Sequence, residues 1–246
     1  MPSYGLMIVV ALAVVNVFAL VVSSHRGLIF YDFLIIECYA GLGAILGSKL
    51  LFLLTVIGDI DWDLFFSDSN YFNTFMRGGF VFWGGLICAV PFVLIGSKKH
   101  RIKLKDYLNV LAFVVPLGHG FGRIGCFLAG CCYGVENHSF FSVVYPSGGF
   151  APAGVSLLPI QLIEAFVLFL TSALVYVLYL RPGKERGFVF YIVSYSISRF
   201  ILEFFRGDVY RGFFKGFSTS QWICILVLLS TLFVLLFEKL YHSCKN

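Results

Sequence analysis

The sequence predicts an all-α, polytopic membrane protein with seven transmembrane helices, its N-terminus out and its C-terminus in. Three observations carry that prediction. Of 246 residues, 59% are hydrophobic and only 13% charged, against about 25% charge in ordinary soluble domains. The apolar residues gather into runs that reach the roughly 20 residues a bilayer-spanning helix needs. The Lys and Arg residues between those runs fall mostly on one side. A disordered chain is excluded, because disorder needs few apolar residues and much charge. A small secreted disulfide scaffold is excluded by length and by an odd count of 7 cysteines.

The first run, 4–23, follows Met1–Tyr4, which carries no positive charge. A cleavable signal peptide normally has one, so this run reads as a retained helix. The second, 33–56, carries Lys49, and the third, 79–96, opens on Gly78-Gly79 and Gly84-Gly85. The fourth, 107–128, contains Arg123. The fifth, 159–180, begins with Gln161 and Glu164. The sixth, 187–205, contains Arg199 and Glu203, and the seventh, 219–238, is charged only at its last residue, Glu238. With no internal repeat and no low-complexity tract, residues 1–246 read as a single integral membrane domain.

Orientation follows from the loops, since cytoplasmic loops carry the excess of Lys and Arg. One side collects Arg26, then Lys98, Lys99, Arg101, Lys103 and Lys105, then Arg181, Lys184 and Arg186, then Lys239 and Lys245. The other holds Arg77, Arg206, Arg211 and Lys215, together with Asp59, Asp61, Asp63 and Asp68. The richer side is cytoplasmic. The chain is therefore expected as a multi-pass protein of the bacterial plasma (inner) membrane.

That orientation brings the polar residues of the spans to one depth, near the outer leaflet. Tyr4, Lys49, Arg123, Gln161, Glu164, Arg199 and Glu203 all fall there. Ionisable groups inside a membrane are costly and point to function. Arg199 and Glu203 are i,i+4 on one helix face and can pair, with Arg206 one turn further on; His119 and Arg123 share a face by the same spacing. Two arginines with few acids at that depth predict surplus positive charge and hence an anion site. Arg suits phosphate, because its planar fork donates two hydrogen bonds at once. The competing reading is that these ions neutralise one another and hold helices together.

The segment from Gly118 to Gly125 contains G-x-G-x-x-G, but without the strand and βαβ unit that a dinucleotide site requires. Its glycines serve close helix packing or close approach of a lipid headgroup to backbone, and the same two readings apply to Gly84 and Gly85. Cys126, Cys131 and Cys132 cluster after Arg123. They read as small packing residues, or as a disulfide of Cys126 with Cys131 or Cys132 on an oxidising side. A metal site wants more ligands at ligand spacing than His138 adds. No metal, no cofactor and no nucleic-acid partner is expected, and no nucleophile–base–acid set of the serine-hydrolase kind is present.

At these residues the chain resembles the prolipoprotein diacylglyceryl transferases. The resemblance rests on Tyr4-Gly5-Leu6-Met7, Tyr39-Ala40-Gly41, Gly78-Gly79 through Phe82 and Gly84-Gly85-Leu86. It continues through Gly122-Arg123-Ile124-Gly125-Cys126-Phe127, Gly130 and Gly134, then Pro159, Gln161 and Glu164, then Arg199 through Arg206, and closes at Gln221. It implies transfer of the diacylglyceryl group of phosphatidylglycerol to the lipobox cysteine of prolipoprotein signal peptides, with release of glycerol-1-phosphate. It implies that Arg123 binds the lipid phosphate, that Arg199 and Glu203 form a second essential pair, and that Tyr4 lines the site. Gly84, Gly85, Gly122, Gly125, Cys126, Gln161, Glu164 and Arg206 are expected around the substrate.

The sequence departs from the family's usual pattern at Trp83, where a histidine is common, and at Cys126, where an asparagine is common. The histidine is a favoured base, so His119 is expected to take the thiol's proton, because imidazole titrates near neutrality. Two other readings are a related enzyme with a different acceptor and a non-catalytic lipid-binding or transport protein. A transporter would be expected to show internal repeats and ionisable groups at the midplane.

Overall fold

A computed structural model describes residues 2–77, 81–180, 186–208 and 212–243. Gly78, Gly79, Arg181, Lys184, Arg211 and Lys245, used above, lie outside the described residues. The chain forms two compact units: Ser23–Tyr107, and Met1–Val22 with Leu108–Asn246.

Each apolar run forms a helix. α1 covers Pro2–His25 and α2 Phe30–Val56. Two short helices, α3 (Trp62–Ser67) and α4 (Ser69–Arg77), follow in a loop that no apolar period foretold. The Asp61 side chain caps α3 by accepting from the Leu64 amide at 3.0 Å. α5 is Phe82–Lys99 and α6 is Leu104–Ala129. A two-residue hairpin follows, Val143–Val144 (β1) against Ser156–Leu157 (β2). α7 is Ile160–Tyr179, and α8 is Gly187–Leu202 with a 3-10 turn over Glu203–Phe205. The strands Phe213–Phe214 (β3) and Phe217–Ser218 (β4) pair before α9, Thr219–Ser243.

Six of these helices are long and apolar enough to cross a membrane: α1, α2, α6, α7, α8 with its 3-10 turn, and α9. The third expected run is α5, which is helical as anticipated but only 18 residues long, closing on Lys98 and Lys99. At 1.5 Å per residue that is about 27 Å, just under the hydrocarbon thickness. The chain is thus an all-α, multi-pass membrane protein. Many Leu, Ile, Val and Phe side chains along α1, α2 and α9 are exposed, as a lipid-facing surface requires.

Within the smaller unit, α2 and α5 meet through glycine. A Cβ on Gly84 would overlap the Gly47 carbonyl oxygen, and one on Gly47 would overlap the Gly84 carbonyl oxygen. Gly43 lies one turn before Gly47 and abuts Cys88, Ala89 and Phe92, while Gly85 abuts Ala44 and Ser48. Gly43 and Gly47 form a G-x-x-x-G step, which lets two membrane helices bring their backbones together. Lys49 in this unit donates to the Phe75 carbonyl at 2.6 Å and lies 4.9 Å from the centre of the Phe52 ring.

In the larger unit, polar side chains tie the helices. Asn109 of α6 donates to the Tyr179 carbonyl at 3.0 Å and accepts from the Gly187 amide at 3.1 Å, joining three helix ends. Ser172 of α7 donates to the Phe113 carbonyl at 2.8 Å. Gln221 of α9 accepts from the Ser218 amide at 2.9 Å and donates to the Phe200 carbonyl of α8. The segment between α6 and α7 carries a small core of Tyr145, Ala151 and Leu157 under Phe127, Tyr133 and Val155.

Candidate active site

α6, α7 and α8 of the larger unit deliver one continuous line of ions. Glu164, near the N-terminus of α7, lies at its centre. Its Oε1 is 3.0 Å from Arg123 Nη2 on α6, and its Oε2 is 3.4 Å from Arg199 Nη1 on α8. Arg199 Nη2 is 2.8 Å from Glu203 Oε2, so the i,i+4 spacing closes as a pair. Glu203 Oε2 is in turn 3.8 Å from Arg206 Nη1, and Arg206 makes a two-pronged pair with Asp208 at 2.9 and 2.6 Å. Glu164, Arg199 and Glu203 are all buried.

The line alternates in sign and balances: three guanidiniums face three carboxylates. This differs from the surplus positive charge the sequence suggested. Glu164 serves two arginines, and Asp208, which lies beyond the span and was not counted, takes Arg206. Arg123 keeps a donor in hand. Its side chain is 15% exposed, and its Nε is buried with no hydrogen-bond partner among the described residues.

Around Arg123 the glycines divide into two kinds. A Cβ at Gly118 would meet Val15, one at Gly120 the Phe169 ring, and one at Gly125 the Tyr4 ring and Met7. Those three seat α6 against α1 and α7. Gly122 has nothing within 4 Å of that position, so the backbone beside Arg123 is open. Tyr4 on α1 is 40% exposed and lies within electrostatic reach of Arg123 and Cys126. Gly84 and Gly85 belong to the smaller unit and are occupied in packing α5 on α2.

His119 is partly buried, with its ring edge-on to Tyr195 at 5.1 Å between centroids. Tyr195 of α8 lies 3.5 Å from Glu164 Oε1 through its hydroxyl. Sequence reasoning missed Tyr195, yet it stands one turn before Arg199 on the same helix face. That spacing was the available signal.

The chain leaving α6 turns sharply. Gly130 adopts φ +69°, and Cys132, which is not glycine, adopts φ +57°. The Cys131 amide donates back to the Cys126 carbonyl at 3.1 Å. The turn folds Cys131 and Cys132 over Cys126, so that the three sulfurs lie within 4.8 Å of one another. All three are free thiols. Gln161, fully buried, holds the turn by donating to the Cys131 carbonyl at 2.8 Å and to the Tyr145 hydroxyl at 3.2 Å. A bridge between Gly134 and Arg206 ties the same turn to the segment after α8.

The family model described as prolipoprotein diacylglyceryl transferase matches residues 1–237. A protein of Clostridium perfringens, phosphatidylglycerol--prolipoprotein diacylglyceryl transferase 2, is 32% identical over 240 residues, covering 97% of this chain and 91% of that protein. A phosphatidylglycerol--prolipoprotein diacylglyceryl transferase of Clostridium tetani is 37% identical over 198 residues, 78% of this chain and 75% of that protein. One of the same name from Mannheimia succiniciproducens is 30% identical over 210 residues, 83% and 75% of the two chains.

Proposed function

This chain belongs to the prolipoprotein diacylglyceryl transferase family, and we propose that it moves the diacylglyceryl group of phosphatidylglycerol onto the lipobox cysteine thiol of prolipoproteins. The thiol sulfur bonds to the glyceryl carbon, the bond from that carbon to the phosphate oxygen breaks, and glycerol-1-phosphate leaves. The observation that carries the assignment of the site is Arg123: a partly exposed guanidinium, its buried Nε without a partner among the described residues, beside the open backbone at Gly122. It binds the phosphate, and charge-assisted donors there stabilise the negative charge that grows on the leaving oxygen.

Glu164 holds Arg123 and Arg199 in place from between them, and Glu203 and Arg206 extend the support. Tyr4 lines the site from α1. His119, one turn from Arg123, receives the proton of the acceptor thiol. Gly125, Cys126 and Gln161 complete the walls along which lipid and signal peptide lie.

On this reading α5 is the third of seven spans, the basic loops are cytoplasmic and the ion line lies toward the outer leaflet of the plasma membrane. A reporter fused after Lys245 should then read as cytoplasmic and one near Ser147 as external, and the reverse labelling would remove the outer-leaflet placement. The function itself is tested by complementation of a strain depleted of its own transferase, scoring growth and lipoprotein mass together. The unmutated chain should restore both. Arg123→Ala should restore neither, and Arg123→Lys only part, because a point charge does not copy the fork. Full rescue by Arg123→Ala would sink the phosphate assignment.

A further inference from the structure

The transfer reaction needs a thiolate, because the thiol itself is a weak nucleophile. The carboxylates nearest Arg123 are poorly placed to generate one: Glu164 and Glu203 are each held by arginines. One feature of the larger unit is left unused by the ion line, and it is made of sulfur. Cys126 in the last turn of α6, and Cys131 and Cys132 in the turn beyond it, converge with all three sulfurs within 4.8 Å. Three sulfurs around one zinc ion, at Zn–S distances of about 2.3 Å, sit roughly 3.8 Å apart. The cluster therefore needs only a small contraction to close on a metal.

Three further observations fit that use. Cys132 takes a left-handed backbone conformation that a residue with a Cβ rarely adopts, and this is what turns it back toward Cys126. Gln161 clamps the turn from α7 through the Cys131 carbonyl. The bridge between Gly134 and Arg206 fixes the far end of the same turn.

We propose that Cys126, Cys131 and Cys132 bind a thiophilic d10 cation, zinc(II), whose open fourth position takes the thiol of the acceptor cysteine. The inference rests on the diacylglyceryl-transfer reading above. Three protein ligands with an open position are the arrangement of a catalytic zinc, and a thiol coordinated to zinc is deprotonated outright. The acceptor thiol displaces a water from the ion, and its proton leaves with that water toward His119. The bound thiolate then attacks the glyceryl carbon of phosphatidylglycerol. The carbon–oxygen bond breaks, the electron pair goes to the phosphate oxygen, and the thioether dissociates from the ion. No oxidant or reductant is needed.

The test uses the full-length, reduced protein in nanodiscs. Zinc(II) alone should bind at one equivalent, and each of Cys126→Ser, Cys131→Ser and Cys132→Ser should lose it. Cobalt(II) in its place should show thiolate charge-transfer absorption. That absorption should grow when a lipobox peptide with its cysteine is added and stay unchanged with the serine counterpart. Stripping the unmutated enzyme with a strong chelator should cut transfer by more than about 100-fold, beyond the range typical of outer-shell changes, and zinc should restore it. This arm does not depend on any variant folding.

A reduced, metal-free enzyme that transfers at the full rate overturns the inference and leaves the function standing. So does metal binding that persists in all three serine variants, or a cobalt spectrum indifferent to the thiol peptide. Metal and thiol binding with no transfer from phosphatidylglycerol would retain the site and remove the function assigned to it.

Discussion

The α2–α5 contact in the smaller unit and the α6–α7–α8 contact in the larger one solve the same problem by opposite means. α2 and α5 join by removing side chains. Gly43, Gly47, Gly84 and Gly85 let backbone touch backbone. α6, α7 and α8 join by adding the most expensive side chains a membrane protein can carry, in a line that runs from Arg123 to Asp208. Dispersion between close backbones is cheap and inert. A buried ion line contributes little net stability and fails badly if one member is removed. The difference teaches where chemistry is to be sought: in the contact whose cost packing alone does not justify.

The largest effect should come from Glu164→Gln. It keeps the shape and removes the one charge that faces two guanidiniums. Loss of one partner from a buried pair costs about 3–5 kcal/mol, so both transfer activity and thermal stability in detergent should collapse. A variant that keeps both would mean that the ion line is decoration and that the two contacts do not differ in kind.

His119→Gln should act on the chemistry with little effect on stability. A base works only when deprotonated, and with the imidazole neutral the variant should be slower than the unmutated enzyme at every pH from 5.5 to 8.5. The variant should still bind phosphatidylglycerol. Overlaying rate profiles from pH 5.5 to 8.5 would show that His119 is no base.

The smallest effect on activity should come from Gly47→Ala. Its Cβ overlaps the Gly84 carbonyl oxygen, which is backbone and cannot swing aside. Overpacking of this kind costs about 1–3 kcal/mol. Melting temperature and yield should fall, while kcat and KM per folded molecule stay the same. A changed KM for phosphatidylglycerol would show that the α2–α5 contact shapes the substrate path as well as holding helices together.

The sequence disclosed the helices because apolar runs of membrane length have few other uses, and the boundaries of α1, α6, α7 and α9 moved by only a few residues. It also disclosed Arg123, Glu164, Arg199 and Glu203, since charge inside an apolar run is conspicuous. The charge balance of the line was hidden, because it depends on Glu164 reaching two helices at once and on Asp208 folding back to Arg206. No spacing rule spans such contacts. Tyr195 was hidden because a tyrosine in an apolar helix has an ordinary packing explanation. The meeting of Cys126, Cys131 and Cys132 was half visible as a cluster in the chain. The left-handed turn at Gly130 and Cys132 that brings their sulfurs together was not. Helices α3 and α4 had no period long enough to read.

The ion line also sets a constraint on how the chain enters the bilayer. Its members are made in the order Arg123, Glu164, Arg199, Glu203. When α6 first leaves the ribosome, its guanidinium has no counter-ion, and the acid that will neutralise it is still untranslated. A lone arginine costs about 2.5–3.5 kcal/mol at the centre of a membrane helix on translocon-based measures, and less toward the end, where Arg123 lies. Gly118, Gly120, Gly122 and Gly125 around it weaken the helix further. α6 is therefore a poor candidate for release on its own and a good one for waiting at the translocon until α7 arrives with Glu164. Insertion of α6 and α7 as a pair would cancel that charge through the Arg123–Glu164 contact. A substitution of Glu164 should therefore lower the yield of inserted protein before any substrate is met.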